Sequence, residues 1–461
     1  MHTDQWGHEV TAASAEAVEA LERTWMSYLG LRLETGDLLG EAFEADPEMP
    51  MASLTRGNFL QLFSFRAFEG KIDQAIAGAE AAIGKHGGTA REKLHLEALK
   101  AWRAGQLRRT LEIWEQILLD NPRDVLALRL AHFLHFYLGD SQNLRDSVLR
   151  VMHAWDETVP GFGFVLGLKS FGLEESGNYA PAEVAGKHAV EINAEDAWAT
   201  HAVAHVMEMQ GRHRDGIEWL EGLSGNWGPV NNFRFHTWWH LGLYYLETEN
   251  FDKVLELYDT EIRAESTDDH IDLANAAAML ARLEMRGVDI GDRWAELGEV
   301  CARHMDDHMF SFHDAHYIMA MAGAGRPADV EQSLKSMAAA AEADTTEGLI
   351  FKQVGLPLCR AMVAFRNGEY GKVVELMAPV RYQVFRIGGS HAQRDLFAQM
   401  LAYAAVRDGR FDLARALMSE RVERRPGSST NWRWYADVLD GVGDGEGAAA
   451  ARARAAEALA A

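Results

Sequence analysis

Apolar residues recur every three to four positions along most of the chain, as in "LRRTLEIWEQILLDNP" from Leu107. That is the period of an amphipathic helix. Apolar–polar alternation of strand length is scarce, and Ala, Leu, Glu, Arg and Met dominate, which favours helix. Short Gly/Asn/Asp turns interrupt the periodic runs: "RAGQL" (103–107), "YLGDS" (137–141), "ESGNY" (175–179), "MQGRH" (209–213), "ETENF" (247–251), "GAGRP" (323–327), "RNGEY" (366–370) and "RDGRF" (407–411). The first four turn glycines, Gly105, Gly139, Gly177 and Gly211, are spaced by 34, 38 and 34 residues. A hairpin of two helices cannot bury its apolar face alone, and a fixed period of this size predicts hairpins stacked on one another. The expected fold is all-α, a right-handed α-solenoid of about eight to ten hairpins in one continuous superhelical domain. Residues 1–90 read as degenerate N-terminal repeats or a cap, 91–446 as the solenoid and 447–461 as a C-terminal helix.

Composition narrows the classes. With 461 residues, 48% of them hydrophobic, the chain can bury a large core. Its formal net charge of −24 repels polyphosphates, and "RVERR" (421–425) is too short a basic run to offset it, so neither nucleic acid nor an anionic membrane is expected as a partner. Cys301 and Cys359 are the only cysteines, which excludes a disulfide scaffold and a four-thiolate zinc site; both are expected in the core. The first twenty residues lack a basic start followed by an apolar run, and no stretch of eighteen apolar residues occurs, so a cytoplasmic location is expected. GxSxG, CxxC, Walker and dinucleotide-binding patterns are absent.

The turns carry further features. Tyr179 and Ala182 follow Gly177, Phe411 and Ala414 follow Gly409, and Pro122 and Pro426 close the hairpins of Gly105 and Gly409. This resembles the tetratricopeptide repeat. "GLKSFGLEESGNYAPAE" (167–183), "DAWATHAVAHVMEMQGRHRDGIEWL" (196–220), "FHTWWHLGLYYLE" (235–247) and "GGSHAQRDLF" (388–397) resemble more narrowly the tetratricopeptide repeat protein 38 family. The resemblance implies a helical-repeat fold and brings no activity with it.

"HAVAHVMEMQGR" (201–212) is the densest candidate chemistry. His201, His205 and Glu208 are offset by four and seven residues, so they share one helical face. With the turn glycine set at the fifteenth motif position, they occupy positions that line the concave groove of tetratricopeptide repeats. Glu249 stands where the next turn glycine would be, which brings His236 and Trp239 to the same groove and leaves His240 at its edge. Glu174 joins from the preceding repeat. Three readings stay open: a divalent metal held by His201, His205 and His236; a polar pocket in which histidines donate, accept or shuttle protons, with His201, His205 and Glu208 as catalytic candidates; and histidines bonded to one another inside the packing.

Two further clusters are candidates. In "HMFSFHDAHYIMA" (308–320), His313 and His316 can share a face and Asp314 suits a helix N-terminus. In "RIGGSHAQRDLF" (386–397), Ser390 suits an N-cap, and His391, Gln393, Arg394 and Asp395 crowd the helix start, where free N–H groups and Arg394 could take a carboxylate. His95, Trp102 and Arg129 extend the polar-aromatic positions, and "SGNWGPVNN" (224–232) is a connector or a lid over the groove. The function expected first is a binding protein whose groove of His, Glu, Trp and Arg captures a small polar, carboxylate-type ligand or a peptide. An enzyme using the groove histidines as general base or metal ligands is the alternative, and an assembly scaffold, including a homo-oligomer, is the third.

Overall fold

The computed structural model describes residues 1–460. Its regular structure is almost wholly α-helical, with one antiparallel ribbon pairing His2–Thr3 with Glu9–Val10 ahead of the first helix, Ala15–Leu29. Consecutive helices pack as antiparallel hairpins, such as Ala90–Arg103 with Leu107–Asp120, Phe162–Glu175 with Tyr179–Ile192, and Phe411–Arg424 with Ser429–Gly441.

The turns repeat one hydrogen-bond pattern. The N–H of Gly105 donates to Trp102 O, and that of Gln106 to Ala101 O. The same pair of bonds closes the turns at Gly139, Gly177, Gly211, Gly325, Gly368 and Gly409. Two such bonds satisfy the last helical carbonyls but require a left-handed residue, the conformation that glycine adopts without steric cost. Gly177, Gly211 and Gly409 have φ of 76°, 72° and 71°. Glu249 takes this place at φ 62°, as the repeat phasing expects. Gly287 and Gly443 make the same turn and were not read from the sequence. Gly287 divides the interval between the turns at Glu249 and Gly325.

Helix starts follow from their sequences. Thr89 with Glu92 and Ser390 with Gln393 form reciprocal capping boxes, and Asp124, Asp269 and Ser428 cap through their side-chain oxygens. The run Thr346–Arg366 has the length and apolarity of a membrane span, and 61% of its apolar eighteen-residue window is buried within the protein.

The chain divides into two compact units. The first comprises Met1–Val203, Gly225–Arg234 and Ala343–Leu349; the second comprises Ala204–Ser224, Phe235–Glu342 and Ile350–Ala461. In the first, the loop around Pro229 is pinned along Leu31–Leu33: Leu33 N donates to Pro229 O at 3.3 Å and Asn231 N to Leu31 O at 2.7 Å. It is therefore a fixed connector, because its backbone groups are already paired.

Packing in the second unit is tight enough to test. A Cβ on Gly216 would lie 2.2 Å from the Tyr244 ring, whose hydroxyl is fixed by Ala204 O. Gly216→Ala is expected to destabilise the protein by about 1–3 kcal/mol, as overpacking does, despite the better helix propensity of alanine. Thermal unfolding checks this, and an unchanged or raised midpoint would contradict the packing.

Candidate functional site

The second unit gathers polar side chains from several helices into its interior. Ala197–Met209 contributes His205 and Glu208, Phe233–Glu247 contributes His236 and His240, and His270–Met285 contributes Asn275 and Arg282. His391–Arg407 adds His391 and Asp395, and Phe411–Arg424 leads into Arg425. His205 and His240 are fully buried, and His236, Glu208 and Arg282 nearly so.

The ring nitrogens are held in a particular order. His236 Nδ1 lies 3.0 Å from Asn275 Oδ1, and His240 Nδ1 lies 3.2 Å from Glu208 Oε2. An amide oxygen only accepts, so Nδ1 of His236 carries its proton, and Nδ1 of His240 does so when Glu208 is ionised. With Glu208 ionised, each Nε2 is a lone pair, and the two face one another at 3.3 Å. Two lone pairs at that separation repel unless a cation lies between them. His205 packs on His240 with ring centroids 4.3 Å apart, and His205, His236 and His240 each present a nitrogen within 4.8 Å of the others.

Burial favours the neutral imidazoles that such a cation requires. Burial, and then the neighbouring His240, His236, His391 and Arg425, holds His205 well below the usual histidine range. Burial acts likewise on His240, reinforced by His236 and Arg282. It lowers His236 to about 4, against the opposing bond to Asn275. Glu208 is pushed up by burial and pulled back by Arg425, whose Nη1 is 3.5 Å from Glu208 Oε1.

Around this trio lies a set of paired charges. Asp395 accepts from Arg421 Nη1 and Nη2 at 2.8 and 3.1 Å and from Gln399 Nε2 at 2.7 Å, with Arg425 at 3.6 Å. Arg282 donates to Ala278 O at 3.2 Å and Ala392 O at 2.9 Å, and its guanidinium lies 5.5 Å from the Trp239 ring centroid. Trp239 stacks on His236 at 5.3 Å.

The sequence candidates fall as follows. His205, Glu208, His236 and Trp239 belong to this interior. His391 acts on His205 electrostatically. His240, expected at the groove edge, is at the centre of the trio. His201, one turn before His205, belongs to the first unit, where its ring packs among Phe171, Trp198 and Phe233 at 5.0–5.4 Å. Glu174 is buried in that same unit. Gln393 completes the cap of its helix, and Arg394 donates to the carbonyls of Gly388 and Gly389, so both hold the helix start together. His316 is committed to Phe312 O at 2.7 Å, between the rings of Phe312 and Phe397. Asp314 accepts from His308 at 2.8 Å, and His308 contacts Ser336 at 2.8 Å. Ser336 Oγ is also bonded within its own helix, to Gln332 O.

Asn275, Arg282, Asp395 and Arg425 were not read as one site. The available signal was the apolar setting of these charges, as in "DLANAAAMLARL". A charge inside such a helix face must find a partner in the interior.

Stacked antiparallel hairpins, with a left-handed residue recurring at their turns, make this a helical-repeat protein of the tetratricopeptide type. No family model matches the chain. Among solved structures, it is similar to a human IFIT1 dimer with m7Gppp-AAAA, at 12% identity and a TM-score of 0.40, covering 99% of this chain and 97% of that one. It is also similar to human IFIT1 with PPP-AAAA, at 14% identity and a TM-score of 0.37, with the same coverage. The tetratricopeptide domain of P58(IPK) matches at 14% identity and a TM-score of 0.22, over 80% of this chain and 93% of that one. At these values the likeness assigns this chain no ligand. It does withdraw the expectation that excluded nucleic acid, because the IFIT1 chains are in complex with capped and triphosphate RNA. The physical reason is that net charge sums over a whole surface, whereas binding answers to the local field.

Proposed function

We propose that this chain is a helical-repeat binding protein of the tetratricopeptide repeat protein 38 kind, and that its second unit holds a divalent metal ion of the zinc class on His205, His236 and His240. The observation that carries the metal is the pair of facing Nε2 atoms. Two nitrogens on one tetrahedral zinc, each bonded at about 2.0–2.1 Å, are separated by about 3.3 Å. That is the separation of His236 Nε2 and His240 Nε2. The partners on the far nitrogens, Asn275 and Glu208, are those that orient histidine ligands in metal sites. Three of the four phrases that carry the family resemblance supply this interior: His205 and Glu208, His236 and His240, His391 and Asp395.

Arg282 and Arg425 bring positive charge to the same interior, which suits an anionic oxygen. The function that follows is metal-dependent capture of a small carboxylate-bearing molecule. Elemental analysis of the purified chain tests it. One equivalent of zinc or a related ion is expected in the parent, and close to none in His236→Ala and His240→Ala. A parent without metal that fails to take up added zinc would remove the proposal.

A further inference from the structure

The first unit holds a different group whose counterpart is missing. Arg129 lies on the helix Val125–Tyr137 and is 1% exposed. Its guanidinium sits 4.3 Å from the Phe133 ring centroid and 4.2 Å from that of Trp198. Those rings offer cation–π contact and no hydrogen-bond acceptor to the guanidinium nitrogens. Nε and Nη2 have no hydrogen-bond partner among the described residues. These two nitrogens form one edge of the guanidinium and point their N–H bonds the same way. This is the geometry that takes the two oxygens of one carboxylate or phosphoryl group.

The surroundings are polar. Tyr28 Oη is buried without a partner. Asp196 caps the helix Ala197–Met209 by accepting from Ala199 N at 2.9 Å, and its other oxygen is unpartnered. Burial pushes Asp196 up to about 7, with Arg129 opposing, so this acid is a poor counter-ion. Burial also lowers Arg129 to about 10, against Tyr28, Asp196 and Tyr137. A buried guanidinium with two unmet donors and only a partly ionised acid beside it is unfavourable, and an anion resolves it.

We propose that Arg129 anchors a second binding site, in the first unit, which takes a small oxyanion on Nε and Nη2 with the Tyr28 hydroxyl as a further donor. The shared chemistry is a group presenting two oxygens in one plane, either a carboxylate or a phosphoryl group.

The experiment is thermal unfolding of the full chain with sodium acetate, sodium phosphate or sodium chloride at matched ionic strength and pH. At least one oxyanion is expected to raise the midpoint above the chloride control, with acetate and phosphate separating the two sources. Arg129→Met is expected to abolish that rise and, without added oxyanion, to be at least as stable as the parent, because it removes an uncompensated charge. A purely structural arginine would instead make Arg129→Met markedly less stable. Arg129→Lys keeps the charge without the two-donor edge, and is expected to weaken the oxyanion response at least tenfold in half-saturating concentration. Arg129→Met should keep its metal, so this site fails or stands apart from the one in the second unit. Absence of any oxyanion effect in the parent, or an equal effect in Arg129→Met or Arg129→Lys, would overturn the proposal.

Discussion

Asp395→Asn is expected to cost the second unit about 3–5 kcal/mol, the penalty for leaving buried charge without its partner. Asp395 accepts both Nη atoms of Arg421 and sits 3.6 Å from Arg425. Asparagine keeps the shape but not the charge, and strands two guanidiniums that Glu208 alone cannot balance. The effect also has a pH signature. Burial pushes the Asp395 carboxyl up, but Arg421 and Arg425, with the bonds from Arg421 and Gln399, outweigh it and hold it well below the usual carboxylate range. A group whose folded pKa is depressed contributes stability that is present above its unfolded pKa, about 4, and is lost as pH falls towards the folded value. The gap between parent and Asp395→Asn in urea should therefore be full at pH 7 and narrow progressively below pH ~4. A gap under about 1 kcal/mol at pH 7, the range of exposed ion pairs, would contradict a buried pair.

The second large effect concerns the orientation of a ligand rather than the ligand itself. Asn275→Ala is expected to weaken metal binding by about 10- to 100-fold, as loss of a partner on the far nitrogen of a metal-bound histidine does. Asn275 Oδ1 is the group that fixes the proton of His236 on Nδ1 and frees Nε2. Asn275→Asp, which can only accept, should retain the affinity. Competition against a chromophoric chelator measures both variants. Equal affinity in the parent and Asn275→Ala would show that the His236 tautomer is not set from this side.

The hairpin architecture was legible because its causes are local. Apolar period, turn glycine and following aromatic lie within a few residues of each other, and even the left-handed Glu249 followed from phasing. Gly287 is followed by Val288 and Asp289, without the aromatic that marks the turns at Gly177, Gly368 and Gly409. The candidate site was legible only by helix face. Offsets of four and seven placed His205 with Glu208 and His236 near them, since one helix imposes that geometry. His240 was set at the edge because repeat phasing describes an average groove and not the rotation of one particular helix. Asn275, Arg282 and Asp395 are separated from the histidines by whole repeats, and only packing brings them together. The helix start at Ser390 shows the converse. Its polar residues were read as an open anion site, but Gln393 and Arg394 bond their own segment, a choice decided by side-chain rotamers and not by spacing.

The central claim is that His205, His236 and His240 act together on one ion, and cobalt(II) titration of the chelator-treated chain tests it most directly. The account predicts an intense visible absorption of a tetrahedral, nitrogen-ligated ion that saturates at one equivalent, is displaced by zinc, and is lost in His205→Ala, His236→Ala and His240→Ala. A spectrum no stronger than that of hydrated cobalt, or a band that survives all three substitutions, would contradict it.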